Sequence, residues 1–123
     1  MTGLQMPPYD IVLYGATGFV GQLVAEYLAR HPERSRFSWA IAGRNLDKLS
    51  ALRATLADPA PEIIVADTAD RSSIESMVSK ARVIVTTAGP YAEYGGEAVV
   101  AACAKQGRHY ADLSGEYWFQ RAM

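Results

Sequence analysis

Tyr9-Asp10-Ile11-Val12-Leu13-Tyr14 runs directly into Gly15-Ala16-Thr17-Gly18-Phe19-Val20-Gly21, and an amphipathic segment reaching Arg30 follows. An apolar run that breaks at a glycine and resumes with helical spacing reads as strand, turn, helix. The glycines are spaced G-x-x-G-x-x-G. Between a strand and a helix, this pattern suits a dinucleotide pyrophosphate: the helix start offers free N–H groups and a favourable dipole, and glycine keeps Cβ atoms out of the way. Gly15 is expected to make the tight turn, Gly18 to let the backbone reach the pyrophosphate, and Gly21 to bring the helix close to the strands. Ala16, Thr17, Phe19 and Val20 complete the predicted cradle. The spacing is one residue longer than G-x-G-x-x-G, a variation found among NADP-preferring folds. A tight turn that holds no ligand is the competing reading.

Outward from this turn the chain alternates. Strands are expected at 9–14, 37–42, 62–66, 82–86 and 109–113, with helices at about 19–29, from Asn45 as N-cap, 70–80 and 95–106. The first helix is expected to turn Phe19, Val20, Leu23, Val24, Tyr27 and Leu28 inward. The second carries Leu46, Leu49, Leu52 and Leu56 and ends at Asp58-Pro59-Ala60-Pro61. The third turns Ile74, Met77 and Val78 inward, and Gly107 reads as the C′ residue of the fourth. Little alternation in the first, second and fourth strands fits a sheet covered on both faces. These repeats, with right-handed crossovers, imply a Rossmann-type doubly wound α/β fold: a three-layer αβα domain around a parallel sheet of order 3-2-1-4-5.

The chain has 123 residues, enough for one core but not two. A net charge of −1 gives no footprint for nucleic acid. One cysteine, Cys103, excludes a disulfide framework and a cysteine-rich metal site; it reads as a small core residue. No apolar stretch approaches the ~20 residues that span a bilayer, and Met1 to Pro8 lacks the basic and apolar regions of a signal peptide. A reducing, cytoplasmic setting is the expectation. Residues 1–8 are expected to form a flexible tail, 9–113 the cofactor domain, and 114–123 the start of a connection to a substrate domain outside this chain.

Three further segments carry chemistry. An NAD site commonly places Asp or Glu at the tip of the second strand; here stand Gly43, Arg44 and Asn45. The Arg44 guanidinium can fork onto a 2′-phosphate, with Asn45 adding a polar contact; a solvated surface arginine is the alternative. After the third strand, Asp67 and Thr68 fall near an adenine ring, where Asp67 accepts from the exocyclic amine, or else Asp67 or Asp70 only caps the next helix. After the fourth strand, Ala88, Gly89, Pro90 and Tyr91 are expected to wall the nicotinamide end, against an ordinary loop. Tyr91 and Tyr94 are the nearest proton donors, but neither is assigned as catalytic. No Tyr-x-x-x-Lys pair, H-E-x-x-H or Walker lysine occurs, and no metal ligand set is expected.

Four stretches taken in order, the glycine turn, Trp39-Ala40-Ile41-Ala42-Gly43-Arg44, Ala88-Gly89-Pro90-Tyr91 with Tyr94-Gly95, and Tyr110-Ala111-Asp112-Leu113-Ser114-Gly115-Glu116, resemble the saccharopine dehydrogenase-like oxidoreductases. That group includes the trans-acting enoyl reductases of complex lipid synthesis. The resemblance implies the NADP(H)-binding domain of a longer two-domain reductase. Its hydride is expected to go to a C=C bond of an enoyl, lipid-type substrate or to a C=N bond, with a small-molecule substrate, free or lipid-linked, held by a C-terminal region beyond this chain. The fragment alone is expected to be inactive. A non-catalytic module sensing NADP(H) is the alternative, and substrate and oligomeric state are left open.

Overall fold

The computed structural model describes residues 6–87 and 96–112. Five strands, β1 (Tyr9–Tyr14), β2 (Trp39–Gly43), β3 (Glu62–Val65), β4 (Ala81–Thr86) and β5 (His109–Asp112), form one sheet in the order β3-β2-β1-β4-β5. Every neighbouring pair is parallel. β1 lies at the centre, where Leu13 is in register with Ile41 on one side and Val85 on the other. The expected topology is therefore observed, and the chain reverses its winding direction at β1, opening a crevice beyond the carboxyl ends of β1 and β4.

Successive strand residues face opposite sides. On one side Val12, Tyr14, Ala40, Ala42 and Ile84 pack with Ile74, Met77 and Val78 of α3 (Arg71–Ser79) and Val99, Ala102 and Cys103 of α4 (Gly96–Gln106). On the other, Leu13 and Ile41 meet Ala25 and Ala29 of α1 (Phe19–Arg30) and Leu49 and Leu52 of α2 (Leu46–Ala54). A 3₁₀ turn, Arg34–Arg36, precedes β2.

The helix ends follow from local chemistry. Asn45 caps α2, its Oδ1 accepting from the Lys48 N–H at 3.0 Å. Asp70 caps α3 by accepting from the Ser73 N–H at 3.3 Å. Gly107 takes φ +69°, and the Arg108 N–H reaches back to the Cys103 carbonyl at 2.8 Å, closing α4 as a Schellman motif.

The inward face of α1 corrects the sequence expectation. Its buried residues are Gly21, Ala25 and Ala29, while Phe19, Leu23 and Tyr27 are 82%, 52% and 66% exposed and Val20 is exposed too. Only Val24 and Leu28 of the expected set pack partly against the core. A Cβ on Gly21 would lie 2.8 Å from the Ala16 backbone. Such close approach leaves room only for a ridge of small side chains, so the large ones turn outward. Leu46 is likewise exposed, and Leu56 is buried just past the end of α2. β2 begins at Trp39 rather than Phe37 because Ser38 bonds to Asp10, its N–H donating to Oδ2 at 3.0 Å. The predicted tail is anchored at Pro8, whose carbonyl accepts from Ser38 Oγ at 3.1 Å. Residues 114–123 lie outside the described part. Among the described residues no helix is long and apolar enough to cross a membrane.

Candidate cofactor site

A cleft of about 410 Å³ opens at the carboxyl ends of the central strands, within the usual range of small-molecule pockets (roughly 300–1,000 Å³). Its floor is the glycine turn. Gly15 takes φ +84°, a left-handed conformation that favours glycine. The turn is tied to both neighbouring strands: the Gly15 N–H donates to the Ala42 carbonyl at 2.9 Å, and Thr87 donates through N–H to the Tyr14 carbonyl at 3.0 Å and through Oγ1 to the Gly15 carbonyl at 3.1 Å. The Gln22 side-chain amide braces the turn by donating to the Thr17 carbonyl at 2.9 Å.

The start of α1 differs from the starts of α2 and α3. Gly18 is its N-cap and no side chain caps it, whereas Asn45 and Asp70 cap α2 and α3. Gly18 has φ −72°, which any residue adopts, and a Cβ there would meet the Gly15 carbonyl oxygen at an ordinary 3.5 Å. The fold therefore does not demand glycine at 18. What the missing side chain leaves is unobstructed access to the α1 amides from the cleft.

Of the predicted site residues, Gly15, Thr17, Gly18, Phe19, Val20, Arg44, Asp67 and Thr68 line this one cleft. Ala16 and Gly21 lie beneath it. Ala16 is fully buried with its N–H donated to Ala42, and Gly21 is the contact point of α1 on the turn. Asn45 follows the tip of β2 with Oδ1 committed to the α2 cap. Asp67 Oδ1 accepts from the Ala69 N–H at 2.9 Å, while Asp70, not Asp67, caps α3. Ala88, Gly89, Pro90 and Tyr91 lie outside the described residues.

Arg44 is exposed at the tip of β2, and no ion pair of Arg44 occurs among the described residues. Thr87, the start of the loop after β4, and Tyr14 also line the cleft. Thr87 joins the turn to the end of β4. Tyr14, the last residue of β1, is 7% exposed yet lines the cleft. Burial raises its phenol pKa, and the Asp67 charge adds to the rise; hydrogen bonds from Thr68 and the Arg44 charge oppose it. A tyrosine closing an apolar strand reads as core. The available signal was its place at the carboxyl end of the central strand, immediately before the turn.

An uncapped helix start for one anion, a guanidinium without an ion pair among the described residues for a second, and a half-enclosed cleft between them fit a phosphorylated dinucleotide. Fold and turn together define a Rossmann-type nucleotide-binding domain. The family model of the saccharopine dehydrogenase NADP-binding domain matches residues 11–123. A trans-acting enoyl reductase of Mycobacterium leprae is 49% identical over 115 residues, which are 92% of this chain and 27% of the relative. Among solved structures, apo saccharopine dehydrogenase (L-Glu forming) of Saccharomyces cerevisiae superposes with a TM-score of 0.74 at 22% identity, covering 93% of this chain and 23% of that one. The Citrobacter sp. triphenylmethane reductase complexed with NADP(H) has a TM-score of 0.68 at 24% identity, covering 85% of this chain and 37% of that one. The chain belongs to the saccharopine dehydrogenase NADP-binding domain family, and its cofactor is NADP(H). It spans about a quarter of the length of the enoyl reductase it matches.

Proposed function

We propose that this chain is the cofactor-holding part of an NADP(H)-dependent oxidoreductase that reduces the carbon–carbon double bond of an enoyl, lipid-type substrate held by protein outside residues 1–123. The observation that carries the reading is the pairing of an uncapped, Cβ-free helix start with Arg44, which has no ion pair among the described residues, across one cleft. The name of the mycobacterial relative supports the enoyl branch over reduction of a C=N bond.

Bound NADPH supplies the hydride; the protein supplies binding, orientation and electrostatics. Gly15 and Gly18 let the pyrophosphate reach the α1 amides. Arg44 holds the 2′-phosphate, where an acid at the same tip would repel it. Thr87 keeps the end of β4 against the turn.

The test uses the whole protein that carries this sequence, mixed with NADPH and a long-chain enoyl thioester. Loss of the reduced-nicotinamide absorbance together with a saturated product supports the proposal. Tight NADPH binding without oxidation by any enoyl or imine acceptor overturns it in favour of a non-catalytic NADP(H)-sensing module.

A further inference from the structure

One half of the sheet is covered on a single face. Ile84 of β4 is fully buried beneath α3 and α4, and Tyr110 of β5 packs against the same layer. Neighbouring residues of a strand point to opposite sides. Val83 and Val85, with His109 and Ala111 in register beside them, therefore face the side that carries α1 and α2. There the two valines are only half-buried, and His109 and Ala111 are exposed. α1 and α2 pack chiefly on β1, β2 and β3. A parallel sheet normally has helices over both faces.

This strip borders an apolar flank of α1. Val20, Leu23, Val24, Tyr27 and Leu28 recur at i, i+3, i+4, i+7 and i+8, which makes one stripe along a helix. Gln22 and Glu26, across the helix from that stripe, line the groove shared with Lys48 and Ala51 of α2. The stripe therefore looks away from α2 and toward β4, which lies on the other side of β1 from β2. Val24 and Leu28 pack at the edge of the core, whereas Val20, Leu23 and Tyr27 are exposed. With Val83, Val85 and Ala111 they make a trough that has helix α1 for its wall and the sheet for its floor. Contiguous apolar surface of this kind marks a site of interaction.

We propose that a further helix of the same polypeptide, from protein outside residues 1–123, lies in this trough and completes the layer. Val24, Leu28 and Val85 already pack against the core while bordering the trough, so the occupant extends a core that the domain has begun. Polypeptide to supply it exists in the family, because the 115 matched residues are only 27% of the Mycobacterium leprae relative. Val20 also lines the cofactor cleft, which places one end of the occupant at the cleft's edge. The inference shares with the proposed function the premise of protein beyond these residues, and it depends on no assigned reaction.

The test uses the whole protein that carries this sequence, with the photoreactive p-benzoylphenylalanine in place of Tyr27. Unlabelled and ¹⁵N-labelled copies are mixed, irradiated and digested, and the linked peptides are identified by mass. The expected link joins Tyr27 to a peptide of the same copy outside residues 1–123. A link between light and heavy copies, a link to residues within 1–123, or no link at all overturns the proposal. Should that replacement disturb the whole protein, Leu23→Cys gives a second reading. Its alkylation by a maleimide should be about a hundredfold slower than that of Asp47→Cys, exposed on α2, because the covering helix must open first; equal rates overturn the proposal. Neither readout needs cofactor or substrate, so failure here is distinct from failure to oxidise NADPH.

Discussion

At the scale of single residues, the cleft separates groups that shape the backbone from groups that meet a ligand. Gly21 and Ala16 belong to the first kind: both are buried, and neither has a side chain with which to recognise anything. Arg44 belongs to the second. It is exposed and caps nothing, so its removal should leave the fold intact. A hydrogen bond to a charged group contributes roughly 1.5–3 kcal/mol, equivalent to about a tenfold to a hundredfold change in affinity. Arg44→Ala is expected to weaken NADPH by that factor and to leave NADH nearly unchanged, as read by fluorescence titration of both nucleotides. Equal loss for the two would mean that Arg44 does not distinguish them.

At the scale of elements, the starts of α1, α2 and α3 carry different loads. Asn45 and Asp70 cap their own helices, which is a stabilising role. α1 forgoes such a cap at Gly18. A carboxylate placed there would accept from the first-turn amides, as Asp70 does in α3, and occupy the position of a pyrophosphate oxygen. Space for the added Cβ exists, and φ is ordinary. Gly18→Asp should therefore change the stability of the free domain by no more than a few tenths of a kcal/mol while abolishing NADPH binding. Thermal melting and titration of the same preparation read both effects. An intact affinity in a folded Gly18→Asp chain would show that the α1 amides are not the anion site. The exposed apolar ridge of α1, with Phe19, Leu23 and Tyr27 outward, follows from the same close approach that the glycine turn requires.

For the molecule as a whole, stability rests on two core layers, one on each face of the sheet. Cys103 sits in the layer beneath α4, almost fully buried, and burial raises its thiol pKa from 9.0 to about 11, with the Arg108 charge only partly opposing. Because the folded pKa lies above the unfolded one, the unfolded chain releases this proton first. The contribution is complete below pH 9 and is lost as pH rises from 9 toward 11. Urea midpoints should therefore fall across that interval, and Cys103→Ser or Cys103→Ala should flatten the decline. The same burial predicts a thiol inert to disulfide reagents at pH 8 until denaturant is added.

Much of this was legible in the residues alone. Element order, the 3-2-1-4-5 sheet, the Asn45 cap and the Gly107 C′ position follow from glycine placement, apolar periodicity and the handedness of crossovers, which act over a few residues or obey one chiral rule. The residues brought to a single cleft, Gly15, Thr17, Gly18, Arg44, Asp67 and Thr68, were named from their places at strand ends, where an open parallel sheet puts its crevice. The inward face of α1 and the place of Tyr14 in the cleft lining were decided only by tertiary structure. Hydrophobicity tells which residues prefer burial, but not how near two backbones approach or which nearly buried residue lines a cleft. Those depend on how elements pack in three dimensions: α1 against the glycine turn at Gly21 and Ala16, and the end of β1 beside the residues that follow β3 in one cleft.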